Sequence, residues 1–266
     1  MTDDAWWWSE RRDGAVLGFT RRGNGASTGT YRGLNLGLHV EDDEDRVRRN
    51  RTAVVSELGA LADTDPGVIR PVFMHQVHGA RVRVVSGSQT ATGPGSCDAV
   101  ITGEANAALF ALVADCTPVL LLDPEARLVA AVHAGRPGMV AGVVPATLAA
   151  MRDLGARRVS AVVGPSVCGR CYEVPETMRA DAAAVEPVSA AVTWVGTPAL
   201  DVAAGVVEQL RREDVDVTWV PGCTKESDEL YSYRRDGRTG RFAGVVMLTE
   251  PSSPSPWRWT RDRDET

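Results

Sequence analysis

The stretch that decides the fold, Ala107–Gly138, reads AALFALVADCTPVLLLDPEARLVAAVHAGRPG. It contains two long apolar runs, interrupted by Asp115-Cys116-Thr117 in the first and by His133 in the second. The segment Asp123–Arg127 between the runs is typical of a turn, because aspartate opens turns and proline presets φ. The apolar, partly β-branched residues on both sides of this turn predict two buried strands.

The predicted hairpin brings a thiol and an imidazole together. If Val119–Leu122 pairs with Leu128–Val132 about the turn, the numbers of paired residues sum to roughly 250. Cys116 and His133 satisfy this sum to within one, so the hairpin places them opposite each other. The pair is therefore a candidate chemical site.

Composition narrows the classes of protein to consider. The chain has 266 residues, 44% of them hydrophobic, which suffices for one large domain or two small ones. A net charge of -6 without a dominant basic patch argues against nucleic acid as the main partner. No uncharged apolar run reaches about 18 residues, which argues against a membrane span. The Trp6-Trp7-Trp8 segment lacks the features of a signal peptide, and five cysteines are an odd number, so we expect a cytoplasmic protein with free thiols.

The chain contains only four histidines: His39, His75, His78 and His133. A multicopper centre with a trinuclear cluster needs roughly twice as many imidazoles. Alternate residues of a strand point to opposite faces, so His75 and His78 cannot both face one metal unless a bulge or turn intervenes. This segment therefore predicts one ligand.

Two arginine-rich segments are candidates for anion binding. Arg21 and Arg22 precede a glycine-rich loop, and four arginines lie within residues 234–241. Guanidinium groups could clamp a phosphate in either place, and a solvated surface is the alternative interpretation.

The remaining patterns are weaker. Cys168 and Cys171 form a CxxC with no second CxxC after it, which favours a turn with packed thiols over zinc or redox chemistry. Helical patterns cover 47–58, 140–154, 175–186 and 199–213. The Pro/Ser-rich segment from Glu250 is predicted to be disordered.

Several motifs occur in order between Gly18 and Leu248 and match one family. They are Tyr31–Gly37, Asn50-Arg51, Gln76–Gly79, Asp98–Thr102, Ala114–Cys116 with Pro118, His133–Gly135, Gly164-Pro165, Cys171–Val174, and Ser232–Asp236 with Thr239–Arg241. On these residues the chain resembles the YfiH/YlmD-like proteins, also called the multicopper polyphenol oxidase or laccase-domain family. The human member of that family acts in purine nucleoside phosphorolysis.

The resemblance implies a mixed α/β fold, layered as an α/β/β/α sandwich with mixed sheets. It is distantly similar to the catalytic domain of cytotoxic necrotizing factor deamidases. We expect a single domain over residues 1–249 and a disordered tail over 250–266.

The resemblance also implies a metal site, usually zinc, with copper the less expected metal. The family's ligands match His78, Cys116 and His133. Three protein ligands leave a fourth position open, as in a catalytic zinc site. Cys116, His133 and Asp115 are then the candidate catalytic residues, with Asp115 as an orienting group or general base.

Candidate ligands for substrate or phosphate come from these motifs, from the arginines before the glycine-rich loop, and from the residue after His133–Gly135. They are Arg22, Asn35, Gln76, Arg136, Arg234, Arg235 and Arg241. The chain departs from the family at one point, where His-Ala-Gly-Trp-Arg-Gly is replaced by His133–Gly138, HAGRPG. The tryptophan is lost and the arginine comes one residue early, so substrate choice or activity is expected to be affected.

Four hypotheses follow. The first is a zinc-dependent purine nucleoside phosphorylase for adenosine, guanosine, inosine or methylthioadenosine, with adenosine deamination as a second reaction. The second is a hydrolase or amidase with Cys116 as nucleophile and His133 as base, acting on a muropeptide precursor. The third is a copper-dependent polyphenol oxidase, and the fourth is a relative that binds ligand without turnover. The expected partners are a purine nucleoside and phosphate, in a monomer or weak homodimer.

Overall fold

The computed structural model describes residues 5–87 and 93–251. Its strands, in chain order, are β1 (Trp6–Arg12), β2 (Ala15–Thr20), β3 (Arg70–Phe73), β4 (Val82–Val84), β5 (Ala99–Thr102), β6 (Ala107–Val113), β7 (Thr117–Asp123), β8 (Leu128–Ala134), β9 (Ser160–Val163), β10 (Ala190–Val192), β11 (Pro198–Leu200), β12 (Asp216–Trp219) and β13 (Phe242–Leu248). Its α-helices are α1 (Glu44–Ala62), α2 (Arg136–Val140), α3 (Val143–Asp153), α4 (Glu176–Val185), α5 (Val202–Arg212) and α6 (Tyr233–Asp236). None of these helices combines the length and the apolar character needed to cross a membrane.

Two mixed sheets form the centre of the fold. One has five strands in the order β1-β2-β13-β6-β3, and the other has six in the order β12-β9-β7-β8-β5-β4. The hairpin β7-β8 lies in the middle of the six-stranded sheet, with β9 antiparallel to β7 and β12 parallel to β9.

The layers follow the predicted α/β/β/α order. Helix α1 covers the outer face of the five-stranded sheet through Val54 and Leu58. The inner faces of the two sheets pack on each other in a core that includes Leu17 and Val246 from one sheet and Val129 from the other. Helices α3, α4 and α5 cover the outer face of the six-stranded sheet.

The sequence of strand β7 does not alternate between polar and apolar residues, and the position of the strand in the fold explains why. Leu120 and Leu122 pack between the two sheets, whereas Val119 and Leu121 belong to the core under the helices. A strand buried on both faces is apolar at every position. The continuous apolar run is therefore a consequence of its central place.

The hairpin is confirmed, but its predicted register is wrong. Thr117 pairs with Ala134 and Pro118 pairs with His133, so Cys116 is not directly opposite His133. Cys116 lies two residues before Pro118, on the same face of the strand, and is thus a diagonal neighbour of His133. The two side chains still meet, because diagonal neighbours on one face are within reach of each other.

Two other expectations differ from the structure or lie outside it. The helix predicted over 140–154 is divided at Gly142, whose φ of +78° is left-handed, into α2 and α3. Strand β1, for which the sequence analysis makes no prediction, is an edge strand of the five-stranded sheet. The tail predicted to be disordered, 250–266, lies outside the described residues from 252 onward.

Candidate metal centre

Three side chains from different parts of the chain converge beside the hairpin. Cys116 directly precedes β7, His133 lies near the end of β8, and His78 lies in the loop between β3 and β4. One potential ligand atom from each lies within 4.8 Å of the other two. The Cys116 Sγ is 3.7 Å from His78 Nε2, and the two imidazoles meet edge to face with centroids 4.7 Å apart.

His75 does not join this cluster. Its Nδ1 lies 3.0 Å from the Ser96 hydroxyl, on the edge of the neighbouring loop. His78 has a left-handed φ of +60°, so a turn interrupts the strand geometry on which the one-ligand prediction rests. Of the two histidines, His78 alone offers a donor atom to the cluster, because His75 bonds Ser96 instead.

The space between the three side chains depends on Gly135. A Cβ at this position would lie 2.8 Å from His78 Cδ2, closer than real contacts allow, and 3.1 Å from Cys116 Sγ, which is also tight. Only glycine leaves that space free for another atom. A thiolate with two imidazoles is a donor set that zinc and copper both accept, so these residues fit a metal ion.

The carboxylate of Asp98 holds both histidines of the cluster in place. Its Oδ1 accepts hydrogen bonds from His133 Nδ1 at 2.9 Å and from the His78 backbone N–H at 2.8 Å. Its Oδ2 accepts one from the Gly79 N–H at 2.7 Å. The bond to Nδ1 leaves Nε2 as the ring nitrogen of His133 available to a metal, the usual arrangement behind a histidine ligand.

The sequence predicts no role for Asp98. A usable signal is present, however, because Asp98 directly precedes the apolar strand β5, and buried carboxylates are almost always paired. Asp98 is fully buried.

The electrostatics of the cluster favour a thiolate next to an imidazolium. Burial alone would raise the pKa of Cys116, but His133 and His78 outweigh it and bring that pKa down to about 6. Burial would likewise lower the pKa of His133, but Cys116 and Asp98 raise it to about 9. A preformed thiolate is the form of cysteine that binds metals and attacks carbonyl groups.

Asp115 is committed to loop contacts. Its Oδ1 accepts hydrogen bonds from the Thr224 and Ser232 hydroxyls at 2.6 and 2.7 Å, and its Oδ2 accepts one from the Arg234 N–H at 2.7 Å. These bonds tie the residue before Cys116 to two later loops. The geometry supports the orienting role over that of a general base, because both carboxylate oxygens already accept hydrogen bonds.

Three of the predicted substrate ligands have their polar groups occupied within the protein. Both ends of the Gln76 amide bond the Leu112 backbone, at 2.7 and 2.8 Å. The Asn35 side chain is buried and accepts from the Arg241 N–H at 2.8 Å. The Arg235 guanidinium is spread over its neighbour Asp236 and three backbone carbonyls. These three residues shape the loops and do not offer free groups to a ligand.

The other arginines lie in different surroundings. Arg22 lines a separate cavity of about 320 Å³ together with Arg32 and Glu229. Arg234 is exposed and donates a hydrogen bond to the Glu173 carbonyl at 2.9 Å. Its guanidinium carbon lies over the Tyr172 ring, 4.3 Å from the ring centroid.

Two arginines are connected to the cluster in different ways, Arg241 through nearby charges and Arg136 through its position in the sequence. Burial lowers the pKa of Arg241, and the nearby Cys116 and Asp115 oppose that shift. Arg136 follows Gly135 directly, and no described residue pairs with its guanidinium.

Arg241 also lines a cavity of about 380 Å³. Its wall includes His39, Thr239 and Tyr233, whose side chain is exposed. The sequence predicts no role for Tyr233, although it lies within the Ser232–Asp236 motif.

The chain is similar to known proteins over most of its length. A family model described as multi-copper polyphenol oxidoreductase laccase matches residues 16–249. Over 239 residues the chain is 53% identical to a purine nucleoside phosphorylase of Streptomyces coelicolor, which spans 89% of this chain and 96% of that protein. It is 33% identical over 249 residues to the purine nucleoside phosphorylase YfiH of Escherichia coli, spanning 91% and 96%.

The fold has a solved counterpart. The crystal structure of YlmD from Geobacillus stearothermophilus matches with a TM-score of 0.79 at 30% identity, over 93% of this chain and 100% of that one. Sequence and structure therefore agree that this chain belongs to the YfiH/YlmD-like laccase-domain family.

Proposed function

We propose that this protein is a zinc-dependent purine nucleoside phosphorylase centred on His78, Cys116 and His133. The observation that carries the proposal is the convergence of these three donors near the guanidinium group of Arg241, with Arg136 following Gly135 in the sequence. Relatives named purine nucleoside phosphorylase support it. A zinc ion bound by the three donors would supply Lewis acidity at an open coordination position.

The protein's own groups would orient the two substrates. Arg136 and Arg241 hold the phosphate dianion, because guanidinium groups bind phosphate oxygens in pairs. An oxygen of hydrogen phosphate attacks C1′ of the ribose, the bond from C1′ to the purine nitrogen breaks, and the purine takes up the proton that the phosphate gives up. The products are ribose 1-phosphate and the free purine. Asp98 keeps His133 in one ring orientation throughout.

The cavity lined by Tyr233 and Arg241 is the proposed nucleoside site. At about 380 Å³ it lies within the range of small-ligand pockets. The exposed ring of Tyr233 offers a face on which a purine can stack, in a chain that lacks the family's tryptophan after Gly135.

The direct test supplies zinc-loaded protein with adenosine, guanosine, inosine and methylthioadenosine, each with and without phosphate. We expect free purine and ribose 1-phosphate only when phosphate is present. Conversion of adenosine to inosine without phosphate would reveal the deaminase reaction of the same site. Absence of product from all four nucleosides in protein with zinc bound would refute the proposal.

The Arg136→Met variant should raise KM for phosphate roughly tenfold, with a smaller change in KM for the nucleoside. The expectation rests on the loss of one charge-assisted contact, worth about 1.5 kcal/mol. Arg48→Met is the matched control, because Arg48 is exposed on α1 and, among the described residues, forms an ion pair with Glu44 alone. An unchanged phosphate KM in Arg136→Met would remove Arg136 from the phosphate site.

The Tyr233→Ala variant should raise KM for the nucleoside, again by roughly tenfold, and leave KM for phosphate nearly unchanged. Stacking of a base on an aromatic ring is worth about 1–3 kcal/mol by alanine substitution. Tyr233→Phe keeps the ring and should behave like the natural protein. Equal effects of the alanine and phenylalanine variants would show that the ring does not stack on the base.

The second candidate is a Cys–His hydrolase or amidase, and the lowered pKa of Cys116 beside His133 favours it. A thiol bound to zinc is not free to attack. Protein that binds no metal, and whose Cys116 reacts readily with an alkylating reagent, would support this alternative. The polyphenol oxidase hypothesis has less support, because the cluster contains two imidazoles and the donor atoms of His39 and His75 belong to no metal-binding group among the described residues.

A further inference from the structure

A second cluster of metal-binding side chains lies in two loops of the six-stranded sheet. Cys168 and Cys171 belong to the loop after β9, and Cys223 and Glu226 belong to the loop after β12. Strands β9 and β12 are parallel neighbours, so the loops that follow them both leave the sheet on the side where these two strands have their carboxyl ends.

Backbone hydrogen bonds fix the two loops against each other. The Ser166 N–H donates to the Gly222 carbonyl at 3.2 Å, and the Thr224 N–H donates to the Ser166 carbonyl at 3.1 Å. This short parallel bridge sets Cys223 beside the chain that leads to Cys168. The juxtaposition is therefore built into the backbone.

The two loops present their donors through the same local geometry. The Cys171 N–H donates to the Cys168 carbonyl at 2.9 Å, and the Glu226 N–H donates to the Cys223 carbonyl at 3.2 Å. Each turn thus brings residues i and i+3 to one side. The resulting pattern, C-x2-C followed by C-x2-E, corresponds to the paired turns of a structural zinc site with one cysteine replaced by glutamate.

The side-chain distances suit a single ion. One donor atom from each of the four residues lies within 4.8 Å of all the others, and the Cys171 Sγ is 3.3 Å from the Glu226 carboxylate. Tetrahedral ligands at the zinc–sulfur distance of about 2.3 Å are separated by roughly 3.8 Å. The three thiols are half-buried and Glu226 is exposed, so an ion can enter from solvent.

A disulfide would use only two of the three thiols and would leave the third, with the carboxylate, without a function. We propose that Cys168, Cys171, Cys223 and Glu226 bind a second zinc ion, in a closed four-ligand site separate from the His78–Cys116–His133 cluster. Thiolate ligands select zinc over magnesium or calcium, and closed sites of this kind stabilise structure. The proposal departs from the expectation of a packing turn, because the CxxC meets two further potential ligands in a later loop.

The second site also supports the first one. Thr224, next to Cys223, donates to the Asp115 carboxylate at 2.6 Å, and its carbonyl accepts from Arg235 at 2.8 Å. Asp115 in turn precedes Cys116. An ion that holds the Cys223 loop therefore fixes the polar contacts behind the Cys116 thiol.

The test is the zinc content of the full-length protein purified with zinc. We expect two ions per chain, falling to one in the Cys168→Ser/Cys171→Ser variant, to one in Cys116→Ala, and to none when both changes are combined. Cys97→Ala is the matched control, because Cys97 is free and belongs to neither cluster, and it should retain two. A content unchanged by the Cys168→Ser/Cys171→Ser substitutions would overturn the proposal.

A second measurement avoids variants that fold poorly. In Cys116→Ala protein, zinc should protect Cys168, Cys171 and Cys223 from alkylation, and a chelator should restore their reaction, as read by peptide mass spectrometry. Equal alkylation with and without zinc, or a disulfide among the three cysteines, would contradict the proposal. Neither measurement depends on phosphorolysis. If the second zinc site proves absent, the proposed function is therefore not affected.

Discussion

Replacing Cys116 by alanine is expected to remove one metal ion per chain and to lower kcat/KM for phosphorolysis by roughly a thousandfold. Lewis-acid catalysis is worth several kcal/mol, and each ~1.4 kcal/mol is a factor of ten in rate. Cys116 is the only thiolate of the cluster and carries its negative charge, so the two imidazoles left behind hold a divalent cation weakly. Metal content and steady-state kinetics of the same preparation test both parts.

The loop between β3 and β4 offers an internal control for this result. His78→Ala should reproduce the loss, because His78 Nε2 lies 3.7 Å from the Cys116 sulfur. His75→Ala, three residues earlier, should retain metal and activity, because His75 contacts Ser96 instead. Retention of the metal in Cys116→Ala would contradict this prediction, because it would show that Cys116 is not a metal ligand.

The sequence was most informative where the chain is buried on both sides. Strands β7 and β8 are apolar throughout, because one face of each packs on the other sheet and the other face packs on helices. The turn at Asp123 joins them, and its carboxylate accepts the Ala126 N–H at 2.9 Å. Local chemistry and burial agree there, and the hairpin could be predicted from residues alone.

Contacts between distant segments could not be predicted in the same way. The hairpin pattern pointed to Cys116 and His133, but it carried no information on Asp98, which reaches His133 from β5. The CxxC at Cys168 looked isolated because the other side chains of its cluster, Cys223 and Glu226, come from the loop after β12. Strand order decides both cases, and strand order is not a local property of the sequence.

A prediction of ligand-binding residues from residue type alone gives too many of them. Gln76 and Arg235 both lie in motifs of the family, yet their polar atoms bond the protein's own backbone. A polar group that holds a loop and one that holds a ligand look alike in sequence. Only the hydrogen-bond partners separate the two roles.

The Asp98→Asn variant is expected to weaken metal binding at the Cys116 site by up to roughly a hundredfold, the range seen when a partner behind a histidine ligand is removed. Asparagine keeps the shape of the side chain but replaces one acceptor oxygen by an NH₂ donor. The four donors that face Asp98, His133 Nδ1 and the backbone N–H groups of Val77, His78 and Gly79, then lose an acceptor. The Nδ1 contact that orients His133 is lost or weakened, at a cost in folding stability of about 1–3 kcal/mol.

Asp123→Asn separates this positioning role from a loss of stability alone. Asp123 is also fully buried and accepts backbone N–H groups, from Ala126, Arg157 and Arg158 at 2.6 to 2.9 Å, but it lies at the opposite end of the hairpin. Both variants should therefore unfold at lower temperature by similar amounts. The zinc ion to follow is the one bound at the Cys116 site, which is identified as the ion lost in Cys116→Ala. Only Asp98→Asn should release that ion to a chelator more readily. Equal zinc affinity in the two variants would mean that His133 keeps its orientation without Asp98, and that Asp98 stabilises the fold without positioning the ligand.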